Sequence, residues 1–266
     1  MPLIAGVDLA WTSHHDSGLC LVELNGAGEV RLIELAATRV LPEALAETLA
    51  GQRDLVAAID APLIIGPNRT AERELGRRFG KYKASAHSAN EALLVGSGRD
   101  AGPRLARGLV ARGVSLDPTL ITPQAAGRFA FESYPHAQHV VLFRLDQRIP
   151  YKRKKGRDTA FIREQLRVFQ AHLGRALGAE WPALAGLDAV QRVLAPGAPE
   201  ARGTALKALE DQLDALTCVL AAYLAWRDGL TAADVLGGPG TGYVAIPGLR
   251  SDPRFAATSA PAPSFP

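Results

Sequence analysis

The sequence predicts an α/β fold centred on a mixed five-stranded sheet, in which three antiparallel strands are followed by parallel ones. Two separate apolar runs, residues 3–8 and 54–60, have the continuous hydrophobicity of buried central strands, and both end in aspartate. Between them, Asn25-Gly26 separates two strand-like segments and is a strong hairpin signal. Leucines at spacings of three and four over residues 204–228 predict a long helix with one buried side.

The elements follow from local patterns along the chain. Strands are predicted where apolar residues run continuously or alternate, and helices where they recur every three or four residues. The predicted strands cover residues 3–11, 18–24, 29–35, 54–60, 127–134 and a short piece of 237–247. The predicted helices cover residues 42–50, 70–79, 103–112 and 135–145, a segment capped by Asp158 or Thr159, and residues 204–228. Residues 80–102 are expected to form a mobile loop, 148–157 an exposed basic loop, and 186–203 a Pro- and Gly-rich connection.

Length and composition favour one soluble domain. The 266 residues are 47% hydrophobic, and no apolar run approaches the roughly 20 residues of a membrane span. We expect a single domain over residues 1–248, with insertions at about 64–126 and 146–203 and a Pro-, Ala- and Ser-rich, poorly ordered tail over 249–266. Met1 leads directly into a strand pattern without signal-peptide features, so we expect a cytoplasmic protein with no membrane partner. Cys20 and Cys218 lie in apolar stretches and are expected in the core.

Four aspartates fall at positions where they can meet. The element order, three hairpin-linked strands followed by helix-linked strands, is that of the ribonuclease H fold. In that arrangement Asp8 and Asp60 end two strands, and Asp211 and Asp214 face the sheet from the last helix. Clustered carboxylates repel one another unless a divalent cation neutralises them, and hard oxygen ligands suit Mg²⁺ or Mn²⁺. In two-metal hydrolysis of a phosphodiester, one ion activates water and the other stabilises the leaving oxygen.

Several short motifs resemble one known family. They are GVDLAW at residues 6–11, AIDAPL at 58–63, RTAERELGRRFG at 69–80, FESYPHA at 131–137, DQLDALTCVLAAY at 211–223 and GYVAIP at 242–247. Together they are similar to domain of unknown function family 429, described as predicted nucleases with a ribonuclease H-like fold, over about residues 3–248. The resemblance implies a metal-dependent nuclease acting on nucleic acid. By motif position it implies Asp8, Asp60, Glu132 and Asp214 as catalytic metal ligands, with Asp211 as an alternative to Asp214.

Basic residues near these motifs are candidates for phosphate contacts. Lys152, Lys154 and Lys155 lie in the basic loop and could follow a nucleic-acid backbone, although solvated surface lysines are an equally good interpretation. Arg69 and Arg73 could bind a substrate phosphate or form ion pairs with neighbouring glutamates. His14, in the loop after Asp8, could contact substrate or simply occupy a turn.

Two other functions remain open from the sequence. An ATP-dependent phosphotransferase of the sugar-kinase and actin superfamily shares the predicted core, but the glycines of its phosphate-binding turns are missing after Asp8 and Asp60. A non-catalytic nucleic-acid-binding module would use the same acids as ion-pair partners. Pairing of Asp60 or Glu132 with a buried arginine would favour this last function.

Overall fold

A mixed five-stranded sheet forms the centre of the molecule in a computed structural model that describes residues 2–12, 14–25, 29–86, 89, 94 and 98–256. The strand order is β3-β2-β1-β4-β5. The β1–β2 and β2–β3 pairs are antiparallel, whereas β1–β4 and β4–β5 are parallel, so the predicted mixed sheet is confirmed. The strands are β1 (Pro2–Asp8), β2 (Ser17–Leu24), β3 (Val30–Thr38), β4 (Asp54–Asp60) and β5 (Arg128–Glu132).

Helices cover both faces of this sheet. They are α1 (Pro42–Ala50), α2 (Ala71–Phe79), α3 (Ala101–Val110), α4 (Pro135–Leu142), α5 (Thr159–Glu180), α6 (Pro182–Ala185), α7 (Asp188–Leu194), α8 (Thr204–Asp228) and α9 (Pro253–Ala256). Helix α8 packs against β1, β2 and β4, with α5 behind it. Helices α1 and α3 cover the opposite face. Among the described residues, every helix is too short or too polar to span a membrane.

Two glycines let α8 approach the sheet closely. A Cβ on Gly6 would lie 2.2 Å from the backbone oxygen of Ala215, and a Cβ on Gly18 would lie 2.0 Å from that of Asp211. Real side chains do not tolerate such contacts, so both positions require glycine for steric reasons. Because Gly18 is in register with Asp8, this packing brings Asp211, in the first half of α8, to the carboxyl end of β1.

Several predicted boundaries are close to those observed, and two regions differ. The helices at 42–50 and 204–228 and the strand at 54–60 have the predicted bounds, and Asp158 caps α5 by accepting a hydrogen bond from the Phe161 amide at 2.7 Å. The segment 186–203 contains the helix α7, and 237–247 belongs to a hairpin of β6 (Val235–Gly238) and β7 (Gly242–Ala245). In both regions, packing against the core outweighs the local Gly and Pro signals.

The beginning of the predicted tail is packed against the core, which corrects the expectation of poor order there. Phe255 in α9 is 5% exposed and stacks on Phe79, with ring centroids 4.7 Å apart. The Arg254 guanidinium donates hydrogen bonds to the carbonyl oxygens of Val140 and Leu145 at 2.7 and 3.0 Å. Residues 257–266, the predicted turn at 26–28 and much of the predicted loop at 80–102 lie outside the described residues.

Candidate metal centre

Asp8 and Asp60 lie next to each other at the carboxyl end of the sheet. They are partners in the parallel pairing of β1 and β4, so both side chains leave the sheet on the same face, and neighbouring strands are about 4.8 Å apart. Within the described part of the chain, neither carboxylate has a hydrogen-bond donor or an ion-pair partner. Two partly buried acids therefore lie side by side without a counter-charge bonded to either.

The surroundings of both aspartates favour their protonated forms. The pKa of Asp60 is raised to about 7. Burial is the main cause, the positive charge of Lys152 opposes it, and the negative charge of Asp214 adds to it. Burial likewise raises the pKa of Asp8 well above its ordinary value; Lys152 lowers it, and Asp214, Asp60 and Asp211 raise it further. The negative charges of these carboxylates thus repel one another, as expected where the nearby positive charge is insufficient to neutralise them.

Asp214 also lies in this group of acids, which we call the carboxylate cluster (Asp8, Asp60, Glu210, Asp211 and Asp214). Unlike Asp8 and Asp60, it has both carboxylate oxygens hydrogen-bonded. It lies on α8 and is completely buried. The Tyr151 hydroxyl donates a hydrogen bond to its Oδ1 atom at 2.5 Å, and the Lys152 ammonium group donates one to Oδ2, also at 2.5 Å. Tyr151 is itself fully buried against Phe169, with ring centroids 4.7 Å apart. The basic loop at 148–157 was predicted to be exposed, yet its Tyr151-Lys152 pair reaches into the cluster.

Neighbouring residues of α8 complete the acidic surface. Asp211 is buried and forms an ion pair with Lys207, one turn earlier on the same helix. Lys207 also bonds Glu210 at 3.0 Å, and Glu210 lies 3.6 Å from the Lys152 ammonium group. Asp214 is thus the acid of α8 bonded to Lys152, whereas Asp211 is held by Lys207 at the edge of the cluster.

Glu132 and Arg69 lie outside the carboxylate cluster and form an ion pair with each other. Glu132 is in register with Ile59, one residue before Asp60, so its side chain leaves the sheet on the face opposite Asp60. The Arg69 guanidinium donates hydrogen bonds to both carboxylate oxygens of Glu132, at 2.5 and 3.1 Å, and is only 3% exposed. We therefore do not retain Glu132 as a candidate metal ligand or Arg69 as a candidate substrate-binding residue.

The family model described as "Protein of unknown function (DUF429)" matches residues 6–235 of the chain. The chain belongs to the DUF429 family. The match extends from β1 to β6 and includes Asp8, Asp60 and Asp214. The family membership predicted from the short motifs is confirmed. No curated protein and no solved structure matches the chain.

The remaining predicted substrate contacts of this DUF429 chain are exposed. Arg73 lies on the outer side of α2, His14 lies in the loop after β1, and Lys154 and Lys155 lie on the basic loop. Lys154 and Lys155 share their loop with Lys152, which bonds Asp214, whereas Arg73 lies on α2.

Two parts of the cluster were not identified from the sequence as parts of a site. The Tyr151 hydroxyl orients Asp214, and Glu210 provides a further carboxylate near Lys152. The spacing of Glu210 and Asp214, four residues apart on a predicted helix, would have placed both on one helix face. Nothing in the local sequence around Tyr151 indicates that it is buried.

The Asp8 and Asp60 pair fits a hard divalent cation such as Mg²⁺ or Mn²⁺. Both supply carboxylate oxygens, both leave the same face of the sheet, and neither is bonded to another group in the described chain. The described residues contain no group of three or more His, Cys, Asp or Glu side chains already converged as a metal site. Both oxygens of Asp214, the buried acid of α8, are hydrogen-bonded to Tyr151 and Lys152.

Proposed function

We propose that this protein is a divalent-metal-dependent nuclease that hydrolyses phosphodiester bonds in nucleic acid, with Mg²⁺ or Mn²⁺ held at Asp8 and Asp60. One observation carries the proposal: two adjacent strand ends present aspartates in register, and neither has a counter-charge bonded to it in the described chain. Burial raises the pKa values of both groups, and the negative charge of Asp214 raises them further. Clustered ionisable groups with perturbed pKa values are typical of functional sites.

The other residues of the cluster have clear roles in such a reaction. A bound cation would lower the pKa of a coordinated water and stabilise charge on the phosphate. Asp8 and Asp60 would orient that cation at the sheet edge. Lys152, held by Asp214, would present its ammonium group to a phosphate oxygen. Lys154 and Lys155, exposed on the same loop, would contact the nucleic-acid backbone.

Cleavage assays with matched variants test this function. We expect the purified protein with Mn²⁺ or Mg²⁺ to cut at least one of single-stranded DNA, duplex DNA, branched DNA or RNA. Asp8→Asn and Asp60→Asn should each reduce cleavage by more than about 100-fold, because residues that only support a metal ligand typically contribute about 10–100-fold. Glu47→Gln, an exposed acid on α1, should cleave like the wild type. Demonstrable metal binding without cleavage of any of these substrates would contradict the proposal.

A non-catalytic nucleic-acid-binding module is the second candidate function. The ion pairs of Glu132 with Arg69 and of Asp214 with Lys152 favour it, because both neutralise acids without a metal. In that case the protein binds DNA or RNA with the same affinity in EDTA and in Mn²⁺, and Asp8→Asn leaves this affinity unchanged. Binding that strengthens with Mn²⁺ and depends on Asp8 would instead favour the nuclease.

A further inference from the structure

The carboxylate cluster has two halves that differ in their bonding. In one half, Asp8 and Asp60 have no bonded partner among the described residues. In the other half, the Lys152 ammonium group bonds Asp214 at 2.5 Å and lies 3.6 Å from Glu210, while Tyr151 occupies the second oxygen of Asp214. A cation is therefore bonded to an acid of the second half, whereas the same charge reaches Asp8 and Asp60 only through space.

Lys152 is held in place by its neighbours along the chain. The preceding residue, Tyr151, is fully buried against Phe169 and His139, with ring centroids 4.7 and 5.9 Å apart. On the other side, the Arg157 guanidinium donates hydrogen bonds to the carbonyl oxygens of Pro150 and Lys152 at 2.9 and 2.8 Å. The backbone is thus fixed on both sides, and the ammonium group at the end of the side chain is held by Asp214, with Glu210 3.6 Å away.

We propose that the cluster takes a single divalent cation, at Asp8 and Asp60, and that the Lys152 ammonium group is a fixed second cation beside Asp214. This inference rests on the proposed function, since it assumes the metal at Asp8 and Asp60. In two-metal sites the ions lie about 3.5–4 Å apart and share carboxylate ligands. Here a second ion at Asp214 would have to displace or approach the ammonium group, and like charges in a partly buried site repel strongly.

The arrangement assigns Lys152 a specific part in the proposed hydrolysis. A fixed ammonium group next to a single metal would balance negative charge on the phosphate oxygens as the attacking water adds. This is the charge that a second ion stabilises in two-metal sites. Lys152 would then contact the reacting phosphate, whereas Lys154 and Lys155 would contact only the backbone outside the scissile bond.

Counting bound Mn²⁺ ions on the full chain tests the inference. We expect isothermal titration calorimetry to give one Mn²⁺ per wild-type chain, and the EPR spectrum to lack the spin coupling of an adjacent ion pair. Lys152→Met removes the fixed cation, so a second Mn²⁺ should bind beside the first and produce a coupled spectrum. Lys83→Met, which changes an exposed lysine on another loop, should bind one ion like the wild type.

The outcomes separate this inference from the proposed function. Two coupled Mn²⁺ ions in the wild type, or one ion with equal affinity in the wild type and in Lys152→Met, would overturn the single-cation site but leave the nuclease in place. A wild type that binds no Mn²⁺ would overturn both. Since Lys152→Met leaves the buried Asp214 without its cation, Lys152→Gln, which retains a hydrogen-bond donor, is the second variant. The wild-type count decides the question even if neither variant folds.

Discussion

At the scale of single residues, the acids of this protein differ in how their charge is compensated. Glu132 and Asp214 each have a bonded cation, Arg69 and Lys152 respectively, whereas Asp8 and Asp60 have none among the described residues. Removing one partner of a buried ion pair typically costs about 3–5 kcal/mol, because the other charge stays buried. Asp8 and Asp60, which have no bonded cation in the described chain, should behave in the opposite way. Neutralising either of them removes a repulsion between carboxylates and should increase the free energy of unfolding.

The stability of Asp60→Asn should therefore depend on pH. The raised pKa means that the folded chain keeps the Asp60 proton up to about pH 7, whereas the unfolded chain loses it near the ordinary value of 3.8. The protonated Asp60 carboxyl therefore contributes its full stability below pH 3.8. This contribution is lost as the pH rises from 3.8 to about 7. We expect Asp60→Asn to exceed the wild type in free energy of unfolding by about 4 kcal/mol at pH 8 and by about 1 kcal/mol at pH 4.5, at about 1.4 kcal/mol for each pH unit of this range that is crossed.

Urea denaturation in EDTA at both pH values measures this difference. Glu47→Gln on α1 is the control, because that exposed acid should have no effect at either pH. An Asp60→Asn variant that is less stable than the wild type at pH 8 would indicate that the Asp60 carboxylate already has a partner in solution.

At the scale of elements, the site depends on how closely α8 lies on the sheet. Gly6 and Gly18 allow the helix backbone to approach β1 and β2, and Asp211, above Gly18, and Asp214 lie in the first half of the helix. In β5, in contrast, the strand register decides the position: a shift of one residue would move each side chain to the opposite face of the sheet. Glu132 points away from the cluster for this reason alone.

Alanine at Gly18 should displace the start of α8. The added Cβ would lie 2.0 Å from the Asp211 carbonyl oxygen, so either the helix or β2 must move. Overpacking of this kind typically costs about 1–3 kcal/mol, and we expect at least that loss in the free energy of unfolding. In Gly76→Ala, the new methyl group enters open space within α2, and a gain of about 0.5–1 kcal/mol is expected. Equal free energies of unfolding for Gly18→Ala and the wild type would show that the α8 backbone does not pack this closely against Gly18.

At the scale of the whole molecule, the segment after β7 ties distant parts of the chain together. Arg254 bonds the end of α4 and the turn after it, and Phe255 packs between Phe79 and Tyr82. The backbone amide of Arg148 donates a hydrogen bond to the Tyr82 carbonyl at 2.8 Å, at the start of the loop that carries Tyr151 and Lys152. The C-terminal segment thus supports the loop from which Lys152 reaches the cluster.

Phe255→Ala should weaken the whole fold rather than only the chain end. Phe255 is 5% exposed, and replacing a buried phenylalanine by alanine typically costs about 3–5 kcal/mol. We expect a loss of about 3 kcal/mol in the free energy of unfolding, measured by chemical denaturation. Phe161→Ala is the matched control, because that ring is 40% exposed and its loss should cost less than about 1 kcal/mol. A small loss for Phe255→Ala would mean that the segment is not part of the cooperative core.

Much of this organisation follows from local sequence pattern. The continuous apolar runs identify β1 and β4, and their final aspartates meet because parallel neighbours in register end at the same sheet edge. The leucine spacing identifies α8 along its full length and places its acids near that edge. The sequence by itself therefore determined the mixed sheet, the long helix and the pairing of Asp8 with Asp60.

Only the tertiary structure decided which charges are bonded to which. Tyr151 and Lys152 reach Asp214 across 63 and 62 residues, and Arg69 reaches Glu132 across 63. Side-chain periodicity is a local property, whereas these contacts depend on strand register and on how each loop closes over the core. A shift of one residue in β5 or a different loop path would exchange the partners without changing any local pattern. For that reason the fold was predictable from the sequence, but the division of the cluster into bonded and unbonded halves was not.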